Sequence, residues 1–126
     1  MRVLLDTHVY LWFLAASDRL SPLEYERIEE AEDVFVSAAS IWEAAIKVRV
    51  GKLAVDLAEL VRGITGSGFL ELPVTGVHAA RLACLPSIHA DPFDRLLIAQ
   101  AMEGPLELVT ADAVLAGYSG LVRVVS

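Results

Sequence analysis

The chain has 126 residues, 56% of them hydrophobic, with a formal net charge of −7 at pH 7. That charge argues against broad, non-specific adhesion to nucleic acid, no apolar run reaches the roughly 18 residues of a membrane span, and the single cysteine, Cys84, rules out an internal disulfide and suits a reducing cytoplasm. A mean hydropathy of +0.55 requires segments buried on both faces, as in a parallel sheet between helices, and the length fits one domain over residues 1–126.

Met1-Arg2-Val3-Leu4-Leu5-Asp6 turns acidic too soon for a signal peptide. Val3-Leu4-Leu5 reads as a central strand and His8 to Ala16 as an apolar helix, which puts Asp6 at the carboxyl end of a buried strand just before a helix. In open α/β sheets that edge binds ligands. A plain N-cap role for Asp6 or Thr7 is an equal reading. Ser21-Pro22-Leu23-Glu24 has the form of a capping box with proline at the first helical position. The acidic helix behind it, to about Ala31, reads as a solvated face. Val34-Phe35-Val36 is a second strand, and Ser37 caps a helix from Ala38 to Val50, ended by Gly51. Glu43 lies in that helix among Ile41, Trp42, Ala44, Ala45 and Ile46. It has either a buried partner or task, or it is a surface residue paired with Lys47 at i+4. Lys47, Arg49 and Lys52 form the densest basic cluster, suited to phosphate or to a solvated helix end.

Asp56 to about Gly63 reads as an amphipathic helix broken by Gly63, Gly66 and Gly68, and Phe69 to Leu72 as a short strand or extended edge. Thr75 caps a helix through about Leu82, on which His78 reads as a surface or structural histidine. Cys84, among Leu82, Ala83 and Leu85, reads as a small core residue. The run His89-Ala90-Asp91-Pro92-Phe93-Asp94-Arg95 then opens an apolar helix to Glu103. Asp91 precedes a proline and reads as the N-cap, with Asp94 and Arg95 in the first turn. Gly104-Pro105 stops the helix. Leu106 to Val109 is a strand ending at Thr110-Ala111-Asp112, a cap before a short helix to about Ala116, and Leu121 to Val125 is the last strand.

Alternating strands and helices imply a parallel sheet covered on both faces. Asp6 and Asp112 then fall at the carboxyl ends of strands, Glu43 and Asp94 early in helices, and these positions converge on one sheet edge. Clustered carboxylates raise one another's pKa or require cations. Hard oxygen ligands select Mg²⁺ or Mn²⁺, ions that bridge phosphodiesters and activate water. Such ions reverse the local sign, so the net charge of −7 leaves a nuclease open. Cysteine and histidine are too few and too dispersed for zinc, and no Walker loop, Gly-x-Gly-x-x-Gly or Gly-x-Ser-x-Gly is present.

Four segments together resemble the PIN domain family in its VapC-type toxin branch: Leu-Leu-Asp6-Thr-His, Ser37-x-x-Ser-Ile-Trp-Glu43, the thirteen residues from His89 through Asp94-Arg-Leu-Leu-Ile-Ala-Gln-Ala, and Leu-Val-Thr110-Ala-Asp112. The resemblance covers essentially the whole chain. It implies a three-layer α/β/α sandwich around a mainly parallel sheet of four to five strands. It implies a Mg²⁺- or Mn²⁺-dependent ribonuclease that uses metal-activated water, with Asp6 and Asp94 as primary metal ligands. Glu43 and Asp112 would complete the site, and Thr110 would hydrogen-bond within it. Asp91 stays at the cap, with the option of pointing into the site, and Arg95 would pair with a carboxylate or meet phosphate. The implied partners are structured cellular RNA, a cognate antitoxin laid over the acidic groove, and a second copy of the chain or a toxin–antitoxin hetero-oligomer. Alternatives are a DNA-directed nuclease of related fold, a receiver-like signalling domain, and a catalytically silent binding module.

Overall fold

Five short strands carry the architecture, and the computed structural model describes them within residues 1–125. Ser126, the last residue of the expected domain, lies outside the described residues. In chain order the elements are β1 (Arg2–Leu5), α1 (Thr7–Leu14), α2 (Pro22–Glu30), β2 (Asp33–Ser37), α3 (Ala38–Arg49), α4 (Leu57–Gly66), β3 (Leu70–Leu72), α5 (Gly76–Arg81), α6 (Pro92–Glu103), β4 (Glu107–Thr110) and β5 (Val122–Val124). The strand order is β3-β2-β1-β4-β5, and every neighbouring pair is parallel. Parallel pairing demands crossovers, which the helices supply between β1 and β4 and a 3₁₀ turn supplies between β4 and β5.

The sheet is covered on both faces, as the hydropathy requires. Side chains alternate along a strand, so Val3 and Leu5 of β1 join one core with Val9, Tyr10, Ile28, Ala44, Leu60 and Ile64 from α1 to α4. Leu4 joins the other core, with Leu97, Ile98 and Ala101 of α6 and Leu115. This is the three-layer α/β/α arrangement. The segment between α3 and α4 holds no strand among the described residues, so Asp56 does not follow a third strand as a receiver domain requires.

Several boundaries move. The helix expected to break at Gly63 runs on to Gly66. Gly63 is a packing device: a Cβ there would lie 2.9 Å from both the Tyr10 hydroxyl and Leu14 Cδ1. The Tyr10 hydroxyl is held in place by donating to the Leu60 carbonyl at 2.6 Å. Alanine is the better helix former by about 1 kcal/mol, yet overpacking costs about 1–3 kcal/mol. Gly63→Ala is therefore expected to lower stability by about 1 kcal/mol in urea unfolding, and a gain would show that Leu14 and Tyr10 move aside freely. The helix expected through Leu82 ends at Arg81 and tightens into a 3₁₀ turn over Leu82–Cys84. The helix after Asp112 is likewise a 3₁₀ turn, Ala113–Gly117.

Three side-chain expectations are corrected. Cys84 is exposed rather than in the core, because its turn lies on the outer surface beside α6. The acidic α2 is not wholly a solvated face: Glu24 is buried and bonded to Arg123 and Arg27, while Arg123 also bonds Glu107 at 2.9 Å. This network ties α2 to β4 and β5. Of the two roles expected for Arg95, pairing with a carboxylate is not found among the described residues; its guanidinium donates to the carbonyls of Leu82 and Pro86. His78 is structural: its Nδ1 accepts the Thr75 N–H at 3.1 Å while the Thr75 hydroxyl accepts the His78 N–H.

Candidate active site at the β1–β4 edge

β1 is the point from which the chain builds the sheet in both directions, with β2 and β3 on one side and β4 and β5 on the other. At such a switch point the carboxyl ends of the strands open a crevice. Leu5 is in register with Val109, and the Asp6 N–H donates to the Val109 carbonyl at 3.0 Å, so the turns leaving β1 and β4 lie side by side. Asp6 caps α1, one carboxylate oxygen accepting the Val9 N–H at 2.9 Å, while its other oxygen accepts the Thr110 hydroxyl. Thr110 thus hydrogen-bonds within the site, as expected. The Thr110 hydroxyl oxygen also receives the Asp112 N–H at 3.1 Å, and Asp112 caps the adjoining 3₁₀ turn through Val114 N–H.

Glu43 arrives from α3, which starts where β2 ends. It is buried and paired with Lys47 at once. It is only 5% exposed, and its oxygens accept the Thr7 hydroxyl at 2.6 Å and Lys47 Nζ at 2.9 Å. Asp94 arrives from the first turn of α6. Asp91 is the N-cap, its Oδ1 accepting the N–H groups of Phe93 at 2.8 Å and Asp94 at 3.0 Å. Asp91 also lines the cleft, so capping and pointing into the site are one arrangement.

Asp6, Glu43, Asp91, Asp94 and Asp112 share a cleft of about 460 Å³ with Lys47 on its wall. Burial, with Glu43 adding to it, pushes the Asp6 carboxyl up despite the bonds from Thr110 and Val9 and the nearby His8. Asp94 is pushed up to about 7, first by burial and then by Asp91, Glu43 and Asp6, with His89 working in the opposite direction. A carboxyl held neutral to near pH 7 by burial and by neighbouring carboxylates would be ionised by a nearby positive charge.

His89 is the residue missed in sequence as part of the site. Its Nε2 lies 3.3 Å from Asp94 Oδ2 and 3.1 Å from Asp112 Oδ2. Ligand atoms of His89, Asp94 and Asp112 all lie within 4.8 Å of one another, close enough to surround one cation. Asp6 and Glu43 face the same cleft from the β1 and β2 side. The available signal was position alone, two residues before the Asp91 cap, and a loop residue's direction is not encoded in helical or strand periodicity.

A second, apolar groove of about 680 Å³ adjoins the acidic cleft. Leu11, Leu14, Leu53, Val55 and Leu60 line it, and His8, Trp12 and Arg19 belong to both cavities. Arg19 stacks over Trp12 at 5.6 Å.

This fold and this acidic edge define a class. The sequence matches the PIN domain over residues 3–121, and the chain belongs to that family. It is 37% identical over 121 residues to Ribonuclease VapC22 of Mycobacterium tuberculosis, covering 87% of this chain and 86% of that protein. Among solved structures the fold is similar to VapBC2 from Rickettsia felis bound to a promoter DNA fragment, with a TM-score of 0.73, 13% identity and all of both chains covered. It is also similar to a toxin–antitoxin complex from Klebsiella pneumoniae, with a TM-score of 0.67 and 19% identity over 96% of this chain and 95% of that one.

Proposed function

We propose that this chain is the toxin of a type II toxin–antitoxin pair, an endoribonuclease dependent on Mg²⁺ or Mn²⁺. The observation that carries the reading is the convergence of four acids from four separate elements, Asp6, Glu43, Asp94 and Asp112, on one cleft, where the half-buried Asp94 is pushed up to about 7 by burial and by its acidic neighbours. The 37% identity to a protein named as a ribonuclease supports the same activity.

The donor set fits a hard divalent ion: carboxylate oxygens dominate, and exposed Cys84 lies outside the cleft. Asp6 and Asp94 would be its primary ligands, with Glu43 and Asp112 completing the site. When bound, the ion supplies Lewis acidity toward a phosphodiester and the water that attacks it. The protein's own contributions are positional. Thr110 and the α1 amides fix Asp6. Thr7 and Lys47 fix Glu43, and Lys47 also puts a positive charge where a substrate phosphate enters. Asp94, pushed up to about 7, would have to give up its proton to hold the ion.

Loading therefore competes with protons. Below about pH 7 the metal-free Asp94 carries a proton, so apparent metal affinity is expected to fall up to about tenfold per pH unit on acidification. Calorimetric Mn²⁺ titrations at pH 6 and pH 8 check this, and equal affinities at the two values would mean that the metal-free Asp94 is already ionised at pH 6.

The antitoxin reading rests on the apolar groove that runs into the acidic cleft. It suits an amphipathic helix in the groove followed by a basic side chain in the cleft. The solved toxin–antitoxin relatives support a partner of this kind. Self-association is supported by the exposed stripe of Trp42 and Ile46 on α3 and Val50 at its C-cap. The site of action is the cytoplasm, where RNA is available; no helix among the described residues is long and apolar enough to cross a membrane. Digestion of total cellular RNA and of duplex DNA side by side, with and without Mn²⁺, tests the function. Metal-dependent cutting of RNA alone is expected, and cutting of DNA alone would favour the DNA-directed alternative.

A further inference from the structure

His89 lies ahead of α6, in the loop after the Leu82–Cys84 turn, and has more partners than a loop histidine needs. Its Nδ1 accepts the Asp91 N–H at 3.2 Å. A ring nitrogen that accepts from an amide carries no proton, so the proton of the neutral ring is on Nε2. That Nε2 faces Asp112 at 3.1 Å and Asp94 at 3.3 Å. The ring therefore donates to Asp112, in the turn after β4, and sits 3.3 Å from Asp94 of α6, so one nitrogen faces carboxylates from two different elements.

The loop behind the ring is fixed just as closely. The His89 N–H donates to the Tyr118 hydroxyl at 2.7 Å, and that hydroxyl donates back to the His89 carbonyl at 3.3 Å. Arg95 Nη1 reaches the Tyr118 hydroxyl at 3.3 Å and the Pro86 carbonyl at 3.0 Å. Asp112 and Tyr118 bracket the Ala113–Gly117 turn. His89 thus touches both ends of that turn and the start of α6 together, and Arg95 holds the assembly from beneath.

We propose that His89 is a positioning residue for the metal centre: its Nε2–H holds Asp112 by a hydrogen bond while the same nitrogen packs against Asp94, which fixes the spacing of the two carboxylates, and Arg95 and Tyr118 hold the ring there. It acts as a donor to Asp112 and not as a ligand. The inference rests on the metal reading of the cleft, and goes beyond it by assigning work to three residues that lie outside the four acids. Partners of this kind, which orient ligating carboxylates by hydrogen bonds, typically change metal affinity about 10–100-fold when removed.

The test is Mn²⁺ affinity, measured by calorimetry and electron paramagnetic resonance on the purified chain and its variants, with circular dichroism to confirm folding. His89→Ala is expected to weaken Mn²⁺ binding about 10–100-fold. His89→Gln, whose amide N–H reaches the position of Nε2, is expected to recover most of that loss. Tyr118→Phe keeps the ring but removes the anchor, and is expected to fall between wild type and His89→Ala. Pulsed resonance of the wild-type Mn²⁺ complex should show no directly coordinated imidazole nitrogen. Unchanged affinity in His89→Ala would overturn the proposal, as would a coordinated nitrogen or a glutamine variant as weak as alanine. Absence of Mn²⁺ binding by wild type would instead bring down the metal reading itself.

Discussion

Asp94→Asn is expected to cost cleavage about a thousandfold or more while making the metal-free protein harder to unfold at pH 8. On the proposed metal reading, the variant would remove a charged ligand of an ion that supplies several kcal/mol of transition-state stabilisation, each ~1.4 kcal/mol being a factor of ten. The gain comes from the sign of the shift. Asp94 sits at about 7 in the folded chain against an ordinary value of 3.8. The native state then holds a proton that the unfolded chain has given up, and stability falls as pH rises from about 4 to about 7. Carried in full, that difference would be about 4 kcal/mol, and partial exposure with solvent screening reduces this to about 2 kcal/mol. Asparagine removes that burden at pH 8, which corresponds to a melting temperature higher by roughly 5–8 °C. At pH 4 the two proteins should melt nearly together. Thermal melts in a chelating buffer at the two pH values measure the effect, and equal shifts at both would mean that charge is not its cause.

Arg123→Met is expected to destabilise the fold by about 3–5 kcal/mol. Arg123 bonds Glu24 and Glu107, and Glu24 is only 3% exposed. Methionine keeps most of the stem but leaves Glu24 buried with one remaining partner, the more exposed Arg27 at 3.3 Å. A buried charge left with only a half-exposed partner costs more than the intact pair contributes, because desolvation remains when most of the attraction is lost. Changing both residues, Glu24→Gln with Arg123→Met, should recover a large part of the loss. A double-mutant cycle by chemical denaturation gives the coupling directly, and additive losses would mean that the two side chains act independently.

These two residues also show how differently site and scaffold are written in the sequence. Asp94 could be located because local rules place it. A proline after Asp91 fixes the N-cap, the cap fixes the first turn, and the apolar run behind it buries the helix. Asp6 and Asp112 obey the same logic, each lying just beyond a short apolar strand and capping the next helical turn. The parallel sheet was legible from hydropathy, since a strand such as Val3-Leu4-Leu5 has no wet face to offer. Glu24 was not legible. Its partner is ninety-nine positions away, and nothing in an acidic helix says which glutamate turns inward. Gly63 reads as a breaker in one dimension, and only the approach of Tyr10 and Leu14 from α1 explains it. Cys84 failed through its neighbours: Leu82 and Leu85 are partly buried while Cys84 is exposed, a split that a tight turn permits and a regular helix would not. His89 and Arg95 belong to the same class, because their work is done across loops.

Metal-dependent cleavage of RNA at the acidic cleft is tested most directly by titrating Mg²⁺ and Mn²⁺ into the purified chain, with Asp94→Asn alongside, while total cellular RNA is digested. Cutting is expected to rise with either ion, to disappear on chelation and to be lost in the variant. Cutting that persists in a chelating buffer, or an Asp94→Asn protein as active as wild type, would contradict the metal-dependent ribonuclease.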